Sequence, residues 1–151
     1  MPAVEARLAR AAGKQLSGLT EPDPGGTERW TADQVWAHIA EFIPYWIAEC
    51  RLVTATYAGE PVAFGRTKQD PGRLASIASG LETPPASFLS SIPRELADLR
   101  TFLRELGPED WAATGLHPTK GSMPLNLMIE EFLVGHLEEH ADQLSLLEDR
   151  S

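Results

Sequence analysis

Residues 125–147 read LNLMIEEFLVGHLEEHADQLSLL. Leu125, Ile129, Phe132, Leu133, His136, His140, Leu144 and Leu147 recur along this stretch at helical spacing. They predict a long amphipathic helix whose apolar stripe carries two imidazoles. Ser122 stands where an N-cap is expected. An imidazole in an apolar stripe costs free energy unless its nitrogens find partners, so this pair needs an explanation. Residues four apart on a helix lie about 40° apart around the axis and about 6 Å apart along it. Both rings can therefore reach one ion from the same face.

A second stripe carries a third imidazole. Thr31 reads as an N-cap, with Gln34 completing a capping box. Val35, His38, Ile39, Phe42, Trp46, Ile47 and Val53 then predict a helix to about residue 57. Pro44 inside it should remove one backbone bond and bend it. His38 aligns with Val35, Phe42 and Trp46 and so should face the same interior. Three neutral imidazoles from two helices suit a divalent cation with an open fourth position, the pattern of a catalytic site. The alternative for each ring is a core histidine satisfied by a neighbouring carbonyl or carboxylate.

The rest of the chain supplies further helices. Val4, Leu8, Ala11, Ala12, Leu16 and Leu19 predict a first helix over about 3–18, broken by Pro22, Pro24, Gly25 and Gly26. Asp70-Pro71 reads as the start of a short helix ending near Gly80, and Thr83-Pro84 as another start. From there Phe88, Leu89, Ile92, Leu96, Leu99, Leu103 and Leu106 repeat up to a stop at Gly107-Pro108. Residues 58–83 are the least regular, and a loop carries Trp111, His117, Pro118 and Gly121. No strand and no internal repeat is expected. The pattern predicts an all-α four-helix bundle, one domain over residues 1–151.

Composition narrows the function. The 151 residues are 42% apolar, enough for a packed core, and carry a formal charge of −9 with no long run of one sign. Such a surface repels phosphate backbones and anionic headgroups, so neither nucleic acid nor membrane is an expected partner. There is no signal-like leader and no stretch of transmembrane length. The lone cysteine, Cys50, can form no internal disulfide, and the cytoplasm is the expected compartment.

Other residues of the chain could also carry chemistry. His136-Leu137-Glu138-Glu139-His140 matches the HxxEH pattern of inverted zinc peptidases. Those enzymes need another acidic ligand well downstream, and eleven residues follow His140. Glu139 is then either an orienting partner or a solvated helix residue. His117, held extended by Pro118, is either a surface loop residue or one at the mouth of the site. Cys50 lies twelve residues beyond His38, about 18 Å along the helix, so it reads as a core filler. Trp30, Trp36, Trp46 and Trp111 read as packing residues, one or two of which could line a pocket. Neither a glycine-rich phosphate loop nor a GxSxG elbow is present.

The segment Trp30-Thr31-Ala32-Asp33-Gln34-Val35-Trp36-Ala37-His38-Ile39-Ala40 resembles the start of the second helix in the DinB/YfiT-like family of metalloenzymes. Gly135-His136-Leu137-Glu138-Glu139-His140-Ala141-Asp142-Gln143-Leu144 resembles that family's last-helix motif, two histidines four apart followed by glutamine. The resemblance implies an up-down-down-up four-helix bundle, often a homodimer. It implies that His38, His136 and His140 hold a divalent ion, usually zinc or nickel, with Glu139, Gln143 and His117 as candidates around it. Members of the family include enzymes that use mycothiol or bacillithiol, among them a maleylpyruvate isomerase and thiol S-transferases. The extra domain of the mycothiol-dependent isomerases has no counterpart here, so isomerase chemistry is not expected.

Two functions follow as expectations. One is a metal-dependent enzyme that transfers or exchanges a low-molecular-weight thiol on a small electrophile, with Arg66, Lys68 or Lys120 drawing in an anionic thiol. The other is a non-catalytic bundle, stabilised by its metal, that binds a ligand or a partner in a stress response.

Overall fold

A computed structural model describes residues 1–22 and 27–149; Pro24, Gly25 and Gly26, read above as helix breakers, lie outside them. Helix α1 spans Pro2–Ala12, α2 Ala32–Thr56, α3 Pro71–Ser79, α4 Pro85–Glu105 and α5 Pro108–Trp111. Helix α6 spans Leu125–Ile129, and a π-helical turn over Glu130–Val134 joins it to α7, Gly135–Asp149. The expected all-α four-helix bundle is the observed fold, built by α1, α2, α4 and the α6–α7 rod. Among the described residues no helix is long and apolar enough to cross a membrane.

Helix α2 is the centre of the bundle. The capping box at its start is formed: Gln34 N–H donates to Thr31 Oγ1 at 3.2 Å and Thr31 N–H to Gln34 Oε1 at 3.0 Å. Val35, Ile39, Phe42, Ile43, Cys50 and Val53 are fully buried, against α4 on one side and α7 on another. The helix runs on through Pro44, which sits on the exposed side. There water can replace the bond that proline denies to the carbonyl of Ala40. Cys50 is sealed inside, and burial, then Glu49, pushes its thiol up to about 12, as befits a core filler.

Three expectations need correction. The first helix ends at Ala12, not near residue 18, because Gly13 and Lys14 N–H turn back onto Arg10 and Ala11 carbonyls. Leu16 still packs on the core as part of the loop, whereas Leu19 is exposed. Ser122 caps no helix: it lies in a strand, and α6 begins at Leu125 after Pro124.

The third correction is that strands do occur. Strands β1 (Val62–Ala63), β2 (Thr114–His117) and β3 (Gly121–Pro124) form a small sheet in the order β1-β2-β3. Strand β1 pairs parallel to β2, with Val62 opposite Gly115. Strand β2 pairs antiparallel to β3, from Thr114–Pro124 to His117–Gly121. Segments of two to four residues are too short to display alternation, so their pairing could be set only by tertiary contact. The sheet ties residues 62–66, from the irregular stretch, to the hairpin that precedes the last helix.

Candidate metal centre

The π-turn sets the direction of the last helix. Leu125, Ile129, Leu133, Leu137 and Ala141 are all buried at steps of four. On a straight α-helix four such steps drift by about 160°, and the stripe would leave the core. The π-turn absorbs one residue, about 100° of that drift. Gly135 makes it possible: its N–H donates to the Glu130 carbonyl, five residues back. A Cβ at this position would stand 2.4 Å from that oxygen. His136 and His140 follow immediately.

The two stripes meet as expected. Donor atoms of His38, His136 and His140 all lie within 4.8 Å of one another. Ring centroids are 5.2 Å apart for His38–His136, 5.0 Å for His38–His140 and 4.6 Å for His136–His140. His38 and His140 are buried, and His136 keeps partial exposure. His38 is 1% exposed, and neither ring nitrogen has a hydrogen-bond partner among the described residues. The reading of His38 as a satisfied core histidine therefore fails, because no group among the described residues satisfies it.

Each ring is oriented by its surroundings. Gln143 Oε1 lies 2.7 Å from His140 Nδ1. An amide oxygen can only accept, so Nδ1 carries the proton and Nε2 the lone pair. Phe42 stacks on His136 at 4.1 Å. Trp30 meets His38 edge-on at 5.2 Å and stacks with His140 at 5.9 Å. Of the four tryptophans it is thus Trp30 that walls the site; Trp36 and Trp46 are core, and Trp111 is exposed.

Two of the three rings are held neutral. Burial first, then the proximity of His140 and His136, then Arg73 and Arg66, holds His38 well below the usual histidine value. Burial and His140 do the same to His136, against the Phe132 carbonyl, which favours the charged ring. Clustered neutral imidazoles are a donor set that divalent transition metals take. The residues present fit such an ion.

The remaining candidates fall elsewhere. Glu139 lies on the exposed face of α7. His117 belongs to no surface loop: it ends β2, is 5% exposed and stacks on Phe132 at 5.0 Å. Its Nδ1 accepts from the N–H groups of Thr119 and Lys120, both at 3.2 Å, so Nε2 holds the proton. With Glu49, Phe64 and Gly65 it lines a cleft of about 690 Å³ that includes none of the three clustered histidines.

Sequence reasoning passed over two residues beside the cluster. Glu41 and Tyr45 lie three and seven residues after His38 and share its helix face, a spacing that was readable. They receive Arg66, whose Nη1 donates to Glu41 Oε2 at 2.9 Å, while Nη2 bonds Glu41 Oε1. The Arg66 guanidinium lies 3.9 Å over the Tyr45 ring. Of the other two cations suggested by sequence, Lys120 pairs with Glu131 at 2.8 Å, and the Lys68 carbonyl accepts from Arg73.

The same arrangement of helices occurs in solved structures. YfiT from Bacillus subtilis, described as a probable metal-dependent hydrolase with an unusual four-helix bundle topology, superposes with a TM-score of 0.72. The match covers 97% of this chain and 81% of YfiT at 23% identity. The fold is that of YfiT. A mycothiol-dependent maleylpyruvate isomerase matches with a TM-score of 0.60 at 19% identity, over 78% of this chain. This chain spans about half that isomerase, 47% of its length. The sequence matches no family model and no curated protein. At these identities the likeness speaks for the bundle, and the chemistry rests on the residues themselves.

Proposed function

We propose that this protein is a metal-dependent enzyme in which His38, His136 and His140 hold a divalent cation, zinc or nickel. The observation that carries the proposal is His38, with two buried, unpartnered ring nitrogens within reach of two further imidazoles. Three protein ligands leave one position for a thiol or water, whose pKa the bound cation would lower toward neutrality. Gln143 fixes the tautomer of His140, as partners behind metal ligands commonly do. Trp30 and Phe42 wall the site on two sides.

The substrate class we assign is a low-molecular-weight thiol, transferred to or exchanged on a small electrophile. Its sulfur bonds the electrophilic atom, its proton passes to solvent, and the leaving group departs with its electron pair. The thiol-dependent neighbour in fold supports this assignment. We take the cytoplasm as the compartment, from the lone cysteine, and a homodimer as the assembly, from the family resemblance. The competing function, a metal-stabilised non-catalytic bundle, calls for a closed site with four protein ligands. Among the described residues the cluster of potential ligands is these three.

The test is metal analysis of the protein purified without added metal or chelator, together with His140→Ala. Bound zinc or nickel near one per chain, lost in the variant along with thiol-transfer activity, is the expected result. A metal-free wild type whose activity equals the variant's would end the proposal.

A further inference from the structure

Helix α1 is tied to α7 and leaves a gap toward α4. Val4, Leu8 and Ala11 form its buried stripe, and Arg7 and Lys14 bond Asp142 and Glu148 of α7. Glu5, Ala9 and Ala12 each follow that stripe by one residue, about 100° round the helix. They line a groove of about 290 Å³ between α1 and α4.

The groove is apolar. Trp36 of α2 lines it between the two helices, and Ile92 and Leu96 line it from α4, all three buried. Along α4 the lining runs from Leu89 to Arg100, about 16 Å of helix. Ala9 and Ala12 end at Cβ, so α1 sends no side chain long enough to fill the space. Its volume is about twice the ~150 Å³ that accommodates a benzene ring, enough for a body of about two fused rings.

Two residues of the lining keep donors without acceptors. Arg100 gives Nη1 to Glu5 Oε1 at 2.6 Å, and no other hydrogen bond engages its guanidinium among the described residues. Its side chain is 42% exposed, so the remaining N–H groups are within reach of a ligand. Trp36 is 4% exposed, and its indole N–H, which can only donate, has no acceptor among the described residues. Glu5 is the one charged acceptor of the lining, and Arg100 already engages it, so a cation finds less to bind.

Apolar walls with a few placed polar groups are the usual make-up of a small-molecule site. We propose that the α1–α4 groove binds a small apolar carboxylate. Its ring or chain lies against Trp36, Ile92 and Leu96, and its carboxylate takes the donors of Arg100 that Glu5 leaves free, a pairing that guanidinium geometry suits. None of His38, His136 and His140 lines the groove, so the site stands whether or not they hold a metal.

The experiment is calorimetric titration of the full-length protein with naphthalene-2-carboxylate and with uncharged 2-naphthylmethanol, which share a ring system and differ in charge. The expected result is saturable binding of the carboxylate, about threefold or more tighter than the alcohol, as befits a half-exposed arginine. Ala9→Leu with Ala12→Leu fills the groove with residues nearly as helix-forming as alanine. It should weaken binding about tenfold or more, with thermal stability equal or higher. Arg100→Met with Glu5→Gln, which strands no charge, should bring the two affinities together. Thermal unfolding establishes that each variant is folded, and where the double leucine is not, Ala9→Leu alone takes its place. No binding by the wild type, or binding that survives the leucines, overturns the proposal. Equal affinities in the wild type overturn the choice of a carboxylate. A change of oligomeric state in the leucine variant, read by sedimentation, would make the groove a contact between copies of this chain and also overturn the proposal.

Discussion

Gly135→Ala tests the link between backbone and site. The added Cβ would lie 2.4 Å from the Glu130 carbonyl oxygen, whereas even a favourable C–H···O contact needs about 3.3 Å. The oxygen must therefore retreat by about 0.9 Å, more than half the 1.5 Å rise of a helical residue. Both atoms are tied to backbone, so no rotamer change relieves the contact. The π-turn opens, and residues beyond it turn toward α-helical register, by up to about 100°. On a helix of 2.3 Å radius that swing moves a Cα by roughly 3.5 Å, and the ring nitrogens farther still. The donor atoms now lie within 4.8 Å of one another, so the cluster would be lost. Overpacking costs about 1–3 kcal/mol and the better helix propensity of alanine returns about 1. The net loss of stability should be at most about 2 kcal/mol. Metal affinity should fall by at least two orders of magnitude. Calorimetric titration with Zn²⁺ and urea unfolding of the metal-free protein measure the two effects. Unchanged affinity and unchanged stability would refute the role given to Gly135 and the π-turn.

Other outcomes follow from the same geometry. His38→Leu removes a buried ring with no partner for either nitrogen, so the metal-free protein should gain about 1–2 kcal/mol while metal binding collapses; a less stable metal-free variant in urea unfolding would contradict this. Gln143→Leu leaves His140 Nδ1 without the acceptor seen at 2.7 Å and should weaken metal binding about 10- to 100-fold with little change in stoichiometry, which competition with a chromogenic chelator can measure. For pH, burial lowers the folded value of His38 below its unfolded reference of about 6.5, so the unfolded chain binds the extra proton. The metal-free protein should then keep full stability above about pH 6.5 and lose about 1.4 kcal/mol per pH unit from His38 alone as pH falls below it, until the folded value is reached. A His38→Leu variant with the same slope in that window would show that other groups carry it.

The long helices and the histidine pair were legible because each rests on local periodicity. The capping box at Thr31, the proline starts near residues 71 and 84 and the stop at Gly107 all act within a few residues. The steps of four from Leu125 to Ala141 also held a signal for the π-turn. A core stripe of that length on a straight α-helix rotates out of the core, and the glycine ahead of His136 shows where the correction falls.

His117 and Arg73 were not legible. His117 follows a loop-like stretch and precedes proline, yet strand pairing buries it against Phe132. Arg73 lies in the first turn of a short helix, and only the packing of α3 on α2 brings it to Trp30.

The sequence by itself determined which residues turn toward a common interior, because helical phase is written in the spacing of apolar side chains. It thereby named the three imidazoles. Tertiary structure decided how close they come, which ring nitrogens lack partners among the described residues, and that Arg66 forks onto Glu41 of the same helix as His38. Those outcomes depend on contacts between segments distant in the chain, whose energies no local pattern contains.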